Sequence, residues 1–473
     1  MSSAAQAAVP DEPLDFRRIL PIFIIIFVDL MGLTIIIPVL PLYASSFGAT
    51  PFLLGVMQAV YPLMQFIGGP ILGSLGDRFG RKPVLLISQI GTFTGFIVMG
   101  LANSLGLLLL ARAIDGLSGA NIATAQAAIS DSTPPKRRAQ ALGIVGAAFG
   151  LGFVFGPVIS AIALQASNND FRVPAFIAAA FSLGSIILTS VMFRETLPPE
   201  RRSTAPLSAL SLVTGVFPRM YRALVNPAIG ILLTLYFFLW AAFGAFQTYV
   251  TPLTFSRLGL SGSANAIFFA YVGIILVLVQ GRLIGPLARR FGERRLVFTG
   301  LGLLALGMAL LAVTPTMPLP SYSQQEALAQ LEQGEAAPAG EGLAVDVTSA
   351  LVPPSDDAPR GYLGVGFVLL ALTCIPFGNS MLQVSIVSLI TKRVDRREVG
   401  TVLGLNSAFQ SAANTIGPLM AGVLAQAFGL FAPFAASAVL LLVLLGVARA
   451  RLTGGAEDQA GAATAGPPPP VGH

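Results

Sequence analysis

The sequence predicts an all-α integral membrane protein with twelve spanning helices in two six-helix halves. Three observations carry that expectation: an apolar composition, apolar segments of membrane length, and a lopsided distribution of basic residues. The chain has 473 residues, 54% of them hydrophobic and only 11% charged, against about 25% charged in an ordinary soluble domain. Its mean hydropathy is +0.78. These values exclude a soluble enzyme or a disordered chain as the main reading. The basic residues are spread among apolar blocks rather than gathered on one face, which argues against a nucleic-acid partner. The one cysteine, Cys374, leaves no disulfide framework or thiolate metal site. The single histidine, His473, ends the chain, so imidazole catalysis and His-metal chemistry are not expected. No Gly-x4-Gly-Lys-Ser/Thr loop is present to hold ATP. Neither enzyme activity nor a cofactor is anticipated.

A membrane helix needs about 20 mainly apolar residues. Twelve segments qualify: 18–43, 51–75, 83–102, 105–130, 140–165, 173–193, 226–252, 262–288, 296–314, 362–391, 399–427 and 429–449. The first is too long for a cleaved signal, carries Asp29 in its middle and lacks a small-residue cleavage site, so it reads as a span. None of the others alternates with period two, as the strands of a membrane barrel do. An even count puts both termini on one side. Of the 28 Lys and Arg, 23 fall in turns and tails on that side, three on the other (Arg172, Arg257, Arg360) and two within spans (Arg112, Arg282). Short cytoplasmic loops collect Lys and Arg, so both termini are expected in the cytoplasm, at the plasma membrane.

The remaining segments fit this frame. Residues 1–17 form a cytoplasmic segment, and residues 18–193 the first half. Residues 194–225, with both charge signs and Pro198, Pro199, Pro206 and Pro218, form a cytoplasmic linker. The second half runs over 226–451 with an acidic, Gly/Ala/Pro/Gln-rich outside insertion at 315–360, and 452–473 is a Gly/Ala/Pro tail expected to be disordered. The halves repeat. Gly73 and Gly80 recur 212 residues later as Gly285 and Gly292; Leu142-Gly143 and Gly156-Pro157 recur 261 residues later as Leu403-Gly404 and Gly417-Pro418. The difference between these offsets is close to the length of the 315–360 insertion. Duplicated halves around a central site are the architecture of alternating-access transporters.

Particular motifs sharpen this picture. After span 2 the chain reads Gly73-Ser74-Leu75-Gly76-Asp77-Arg78-Phe79-Gly80-Arg81-Lys82; span 4 contains Leu108, Arg112 and Gly116; span 5 contains Gly146, Gly150, Gly156 and Pro157; span 1 contains Asp29, Gly32, Pro38 and Pro41. The first of these resembles the signature loop of the major facilitator superfamily and the second that superfamily's span-4 motif; those of spans 5 and 1 resemble its twelve-span drug:proton antiporters, including tetracycline efflux pumps. The resemblance covers almost the whole chain. It departs in span 5, where Val158 to Ala161 follow the proline in place of glycines, and in lacking the further membrane acids and histidine of tetracycline pumps. The resemblance implies the major facilitator fold, a monomer in the lipid bilayer, and exchange of protons for small amphipathic compounds or drugs such as tetracycline-like molecules. A proton-coupled importer of a sugar, organic acid or peptide is the alternative.

Only Asp29, Arg112, Asp115 and Arg282 are ionisable within spans. A charge at that depth is costly and tends to pair or to serve function. At 1.5 Å per residue, Asp29, Asp115 and Arg112 lie about 16, 22 and 27 Å from the cytoplasmic ends of their spans. Arg112 and Asp115 share a helix face. Either they neutralise each other and brace the bundle, or a carboxylate near Arg112 cycles a proton, burial favouring its neutral form and the guanidinium its anion. The resemblance favours Asp29 as proton carrier, with Asp115 second. Arg282 sits near a span end, where its side chain can snorkel.

The Gly73–Lys82 stretch is expected to gate the cytoplasmic side. Its glycines permit a tight turn and close approach. Asp77 is expected near the start of span 3, and Arg81 pairs with Asp77 or Asp131 in a latch, with Arg78 beside it; alternatively, these basic residues only hold the loop inside. Gly146, Gly150 and Gly156 allow close helix packing, and Pro157 a kink; by resemblance they form an exporter's leak-tight seam. Candidate cavity groups are Asn121, Gln126, Phe238, Trp240, Gln247, Asn379 and Gln383, sparse polar groups among aromatics that suit an amphipathic solute, though such aromatics also serve as packing.

Overall fold

The computed structural model describes residues 16–119, 121–131, 133, 138–204, 209–332, 351–394 and 399–452. Among these residues the only regular structure is helical. The first half contains α1 (Phe16–Ile36), α2 (Leu40–Ser45), α3 (Pro51–Phe79), α4 (Arg81–Gly100), α5 (Leu105–Ser118), α6 (Asn121–Asp131), α7 (Arg138–Ala166) and α8 (Arg172–Met192). The linker carries the short α9 (Ala209–Thr214) and α10 (Val216–Leu224). The second half contains α11 (Gly230–Leu258), α12 (Gly262–Leu278), α13 (Ile284–Phe291), α14 (Glu293–Ala312), α15 (Gln324–Glu332), α16 (Leu363–Lys392), α17 (Val399–Phe428) and α18 (Ala432–Arg451). Eight helical stretches are long and apolar enough to cross a membrane; Ile22–Ile36 and Gly150–Ala166 are shorter apolar helices. Residues 1–15, residues 333–350 of the insertion and residues 453–473 of the expected tail lie outside the described residues.

Local chemistry starts several spans. The hydroxyl of Thr50 accepts the Leu53 N–H at 3.3 Å, with Pro51 opening α3. Ser104 and Ser261 cap α5 and α12 in the same way. Such caps satisfy amides that the first helical turn leaves without partners.

Three expectations about continuity are corrected. The segment 18–43 is not one helix: α1 ends at Ile36, and α2 restarts beyond a turn containing Pro38. The segment 105–130 divides into α5 and α6 after Ser118. There Gly119 donates its N–H to the Asp115 carbonyl and its own carbonyl accepts from Gln65 Nε2 at 3.1 Å. The motif around Gly73–Lys82 is not a loop flanked by glycines. Helix α3 runs through Phe79 and α4 begins at Arg81, so the reversal rests on Gly80 alone, at φ +103°. That angle favours glycine. Gly292 makes the equivalent single-residue junction between α13 and α14 at φ +80°.

Within the first half α1 packs on α7 and α8, α4 on α5 and α8, and α3 on α5; within the second, α14 packs on α16 and α18, and α11 on α16 and α17. The halves meet along two seams, α3 against α17 and α7 against α12. Gly273 is what allows the second seam: a Cβ there would strike the Phe153 carbonyl. The arginine-rich turns mark one end of the bundle, here termed the basic end. At the opposite, distal end the halves are tied together. Tyr249 of α11 donates its hydroxyl to the Pro51 carbonyl at 2.7 Å, and Gly55 of α3 faces Pro418 of α17. Among the described residues, α6 makes its main contacts with helices of its own half, and α13 with α14, α16 and the turn that precedes it. The halves are thus bonded to each other at the distal end.

Candidate functional site

Four helices bring a polar cluster together at mid-depth in the first half. Arg112 and Asp115 of α5 form an ion pair at 3.3 Å, Nη1 to Oδ2, and are 4% and 2% exposed. The Arg112 guanidinium lies over the Tyr61 ring of α3, 4.5 Å from its centroid. Thr92 of α4 is buried, its hydroxyl without a hydrogen-bond partner among the described residues, and Gly95 of α4 lets Asp115 approach that helix closely. Asp29 of α1 lies near enough for its charge to act on both Asp115 and Tyr61. A cation over a desolvated ring gains about 2 kcal/mol, which helps hold a guanidinium away from water.

Exposure separates these groups. Arg112 and Asp115 are sealed inside the first half, whereas Asp29 is half-buried. Tyr61 and Thr92 were not signalled by the sequence, because tyrosine and threonine are ordinary in spans. The positions equivalent to Asp29, Arg112 and Asp115 in the second half are Ala241, Thr373 and Pro376. Of the ionisable residues within spans, only Arg282 falls in the second half.

The basic end holds two further clusters. Arg81 Nη2 pairs with Asp77 Oδ1 at 2.8 Å, and Arg81 Nε with Asp131 Oδ2 at 3.1 Å. All three residues belong to the first half, so here they join α3, α4 and α6 rather than the two halves. Asp77 lies in the last turn of α3, not at the start of α4, because the helix continues past Gly73. The α4 N-terminus is instead met by Glu195, whose carboxylate accepts the N–H groups of Arg81 at 2.8 Å and Lys82 at 3.1 Å. Arg78 lies over its neighbour Phe79 at 5.7 Å. Among the described residues no atom lies within 4 Å of where a Cβ on Gly73 would stand, so none of them makes a close approach to this glycine. In the second half Glu293 Oε1 accepts from Lys392 Nζ at 2.8 Å and from Ser388 Oγ at 2.6 Å. Glu293 and Lys392 are the repeat equivalents of Arg81 and Asp131. The same bridge stands in both halves with its charges exchanged.

On α7, Gly150 faces Val277 of α12 across the seam, and Gly156 faces Thr34 of α1. The Thr34 hydroxyl donates to the Gly152 carbonyl at 2.8 Å. Pro157 lies inside the helix, and Gly146 falls outside the described residues for all but its helical placement. Asn121 and Gln126 are on α6, with side chains outside the described residues. On α11, Phe238 packs edge-on against Phe237 at 5.3 Å and Trp240 against Phe243 at 5.8 Å; Gln247 is half-buried. On α16, Asn379 is 2% exposed and Gln383 accepts from Gln280 Nε2 at 3.4 Å. Arg282 is exposed near the basic end.

Comparison with known proteins agrees with this architecture. The Major Facilitator Superfamily model matches residues 22–324 and 360–470. The chain is 34% identical to the class C tetracycline resistance protein of Escherichia coli over 304 residues, 60% of this chain and 70% of that protein. It is 24% identical to multidrug resistance protein 2 of Bacillus subtilis over 424 residues, 89% of this chain and 92% of that one. The fold is shared with the crystal structure of the human organic anion transporter MFSD10 (TETRAN), at a TM-score of 0.61 and 21% identity, covering 92% of this chain and all of that one. An all-helical bundle in two repeated halves, the motifs it carries and these matches lead to one statement: the chain belongs to the Major Facilitator Superfamily, a multi-pass membrane transporter and not an enzyme.

Proposed function

We propose that this protein is a proton-coupled antiporter that exports small amphipathic compounds from the cytoplasm, with Asp29 as the proton carrier. The observation that carries the reading is the contrast within the mid-depth cluster: the Arg112–Asp115 pair is sealed, while Asp29 beside it is half-buried. A carrier must reach solvent in turn from each side; a sealed, mutually neutralised pair holds a fixed charge distribution near it. Substrate entering the cavity displaces the proton from the Asp29 carboxylate, and reprotonation from the other side releases substrate. The basic end is the cytoplasmic one by its arginine-rich turns, so the bonded distal end faces away from the compartment from which an exporter loads. The Arg81 cluster in the first half and the Glu293–Lys392 bridge in the second hold the cytoplasmic ends of the two halves rigid while the halves rock. The relatives named for tetracycline and multidrug resistance support export and an amphipathic substrate. The transporter works as a monomer.

The test uses proteoliposomes with an imposed pH gradient, following proton release when tetracycline is added. The expected result is release by wild type, none by Asp29→Asn, and release that persists in Asp115→Asn alongside a lower thermal stability. Proton-coupled uptake of a sugar or acid without substrate-triggered release would reverse the direction and sink the export reading.

A further inference from the structure

We infer that the second half carries an uncharged, hydrogen-bonding half-site for substrate, formed by Gln280, Ser380, Gln383 and Asn379, which takes the hydroxyl- and carbonyl-rich edge of an amphipathic solute. The inference rests on the transport reading above and adds the chemistry of the ligand. Its starting point is a break in helical regularity. Between α12 and α13, residues Val279–Leu283 form a π-turn; such turns are rare and often sit at functional sites. Gln280 lies in this turn, two residues before the exposed Arg282. Its Nε2 reaches Ser380 Oγ at 3.3 Å and Gln383 Oε1 at 3.4 Å on α16. Both bonds are long, and the Gln280 carbonyl oxygen accepts nothing from the described residues.

A second observation points the same way. Asn379 lies one helical turn before Gln383 on α16, so the two amides share a face. It is 2% exposed, and its Oδ1 has no hydrogen-bond partner among the described residues. Bracing between helices accounts for the Gln280 bonds but leaves this oxygen unexplained. A buried amide oxygen without a donor is costly, and a ligand hydroxyl or amine relieves it.

Position completes the argument. Helix α12 lies against α7 through Gly273 at Phe153 and Val277 at Gly150. Gln280 and Gly281 come one turn further on; Gln280 is exposed, and no described atom lies within 4 Å of a Cβ built at Gly281. The amides therefore stand toward the basic end. The two halves also differ in chemistry. The first holds Asp29, Arg112 and Asp115, and the second has Ala241, Thr373 and Pro376 in their places, with Arg282 its one ionisable residue within a span. The membrane carboxylates lie in one half and this cluster of neutral hydrogen-bonding groups in the other.

The experiment measures binding by the purified full chain in lipid nanodiscs, which depends on neither proton coupling nor direction. Two probes are compared: tetracycline, whose polar edge is a run of hydroxyl, carbonyl and carboxamide groups, and tetraphenylphosphonium, an amphipathic cation with no hydrogen-bonding group. Gln280→Leu and Gln383→Leu are expected to raise the tetracycline Kd about tenfold, with the tetraphenylphosphonium Kd within about twofold of wild type and an unchanged Tm. Gln383→Asn should recover part of the tetracycline affinity. A tetracycline Kd unmoved by either substitution, an equal loss for both probes accompanied by a lower Tm, or no tetracycline binding by wild type would each overturn the half-site. Loss of substrate-triggered proton release with these binding differences intact would overturn only the antiport reading.

Discussion

Glu195 shows how much one side chain outside the spans contributes. Partial burial raises its pKa, but the backbone N–H groups of Leu197, Arg81, Lys82 and Thr196 outweigh that and hold it below the ordinary value of 4.5. Because the folded pKa is the depressed one, its stabilisation is fully present above the unfolded value and is lost as pH falls through the folded value. Glu195→Gln is expected to cost about 1 kcal/mol, the usual worth of a helix cap. It should also flatten the acid side of a thermal-stability profile: wild type loses Tm as the pH drops below 4.5, and the variant, starting lower, loses less. A variant profile parallel to wild type would refute the cap. Asp29, Arg112 and Asp115, members of the mid-depth polar cluster, stood out in the sequence because a charge in an apolar span is unusual. Tyr61, Thr92 and Glu195 were not, since nothing in a tyrosine, a threonine or a linker glutamate announces which neighbour it will meet.

At the scale of helices, the mirrored bridges are the informative feature. Arg81 with Asp131 joins α4 to α6, and Glu293 with Lys392 joins α14 to α16, at equivalent positions with reversed sign. A bridge whose function is to tie two helix ends tolerates either polarity. Arg81→Glu or Asp131→Lys alone is therefore expected to destabilise the protein by about 1–3 kcal/mol, because each leaves a partly buried like-charge pair. The double reversal should recover most of that loss, the remainder coming from Asp77, which would then face a carboxylate. Thermal unfolding of the three variants in detergent checks this; a double variant no better than the singles would mean that local polarity matters. The same scale explains the misplacement of Asp77. Glycine spacing suggested a loop, yet Gly73 and Gly76 are helical, and only the junction that demands a positive φ, at Gly80, breaks the helix.

For the whole molecule, contacts across the halves hold the distal end together. Tyr249 bonds the Pro51 carbonyl across the halves. Tyr249→Phe removes that bond and should favour distal opening by about 1 kcal/mol, or roughly fivefold in population. Spin labels at Asn168→Cys and Leu328→Cys, in a Cys374→Ser background, report the change as a larger long-distance fraction; an unaltered distribution would show that helix packing alone holds the end shut. Beyond the distal end, Tyr322 of the insertion lies against Gly259 and donates to the Pro354 carbonyl at 2.7 Å, and burial pushes its phenol up to about 12. The sequence by itself determined the membrane class, the superfamily and the duplication. Those properties are sums over local composition, charge bias and spacing, which do not depend on which faces meet. The tertiary structure decided which carboxylate is sealed and which is half-buried, that the Arg81 cluster lies within one half, and that the halves are bonded to each other at the distal end. Each of these depends on how helices far apart in the chain rotate and approach one another, and residues such as Gly273 at Phe153 reveal their role only once that approach is made.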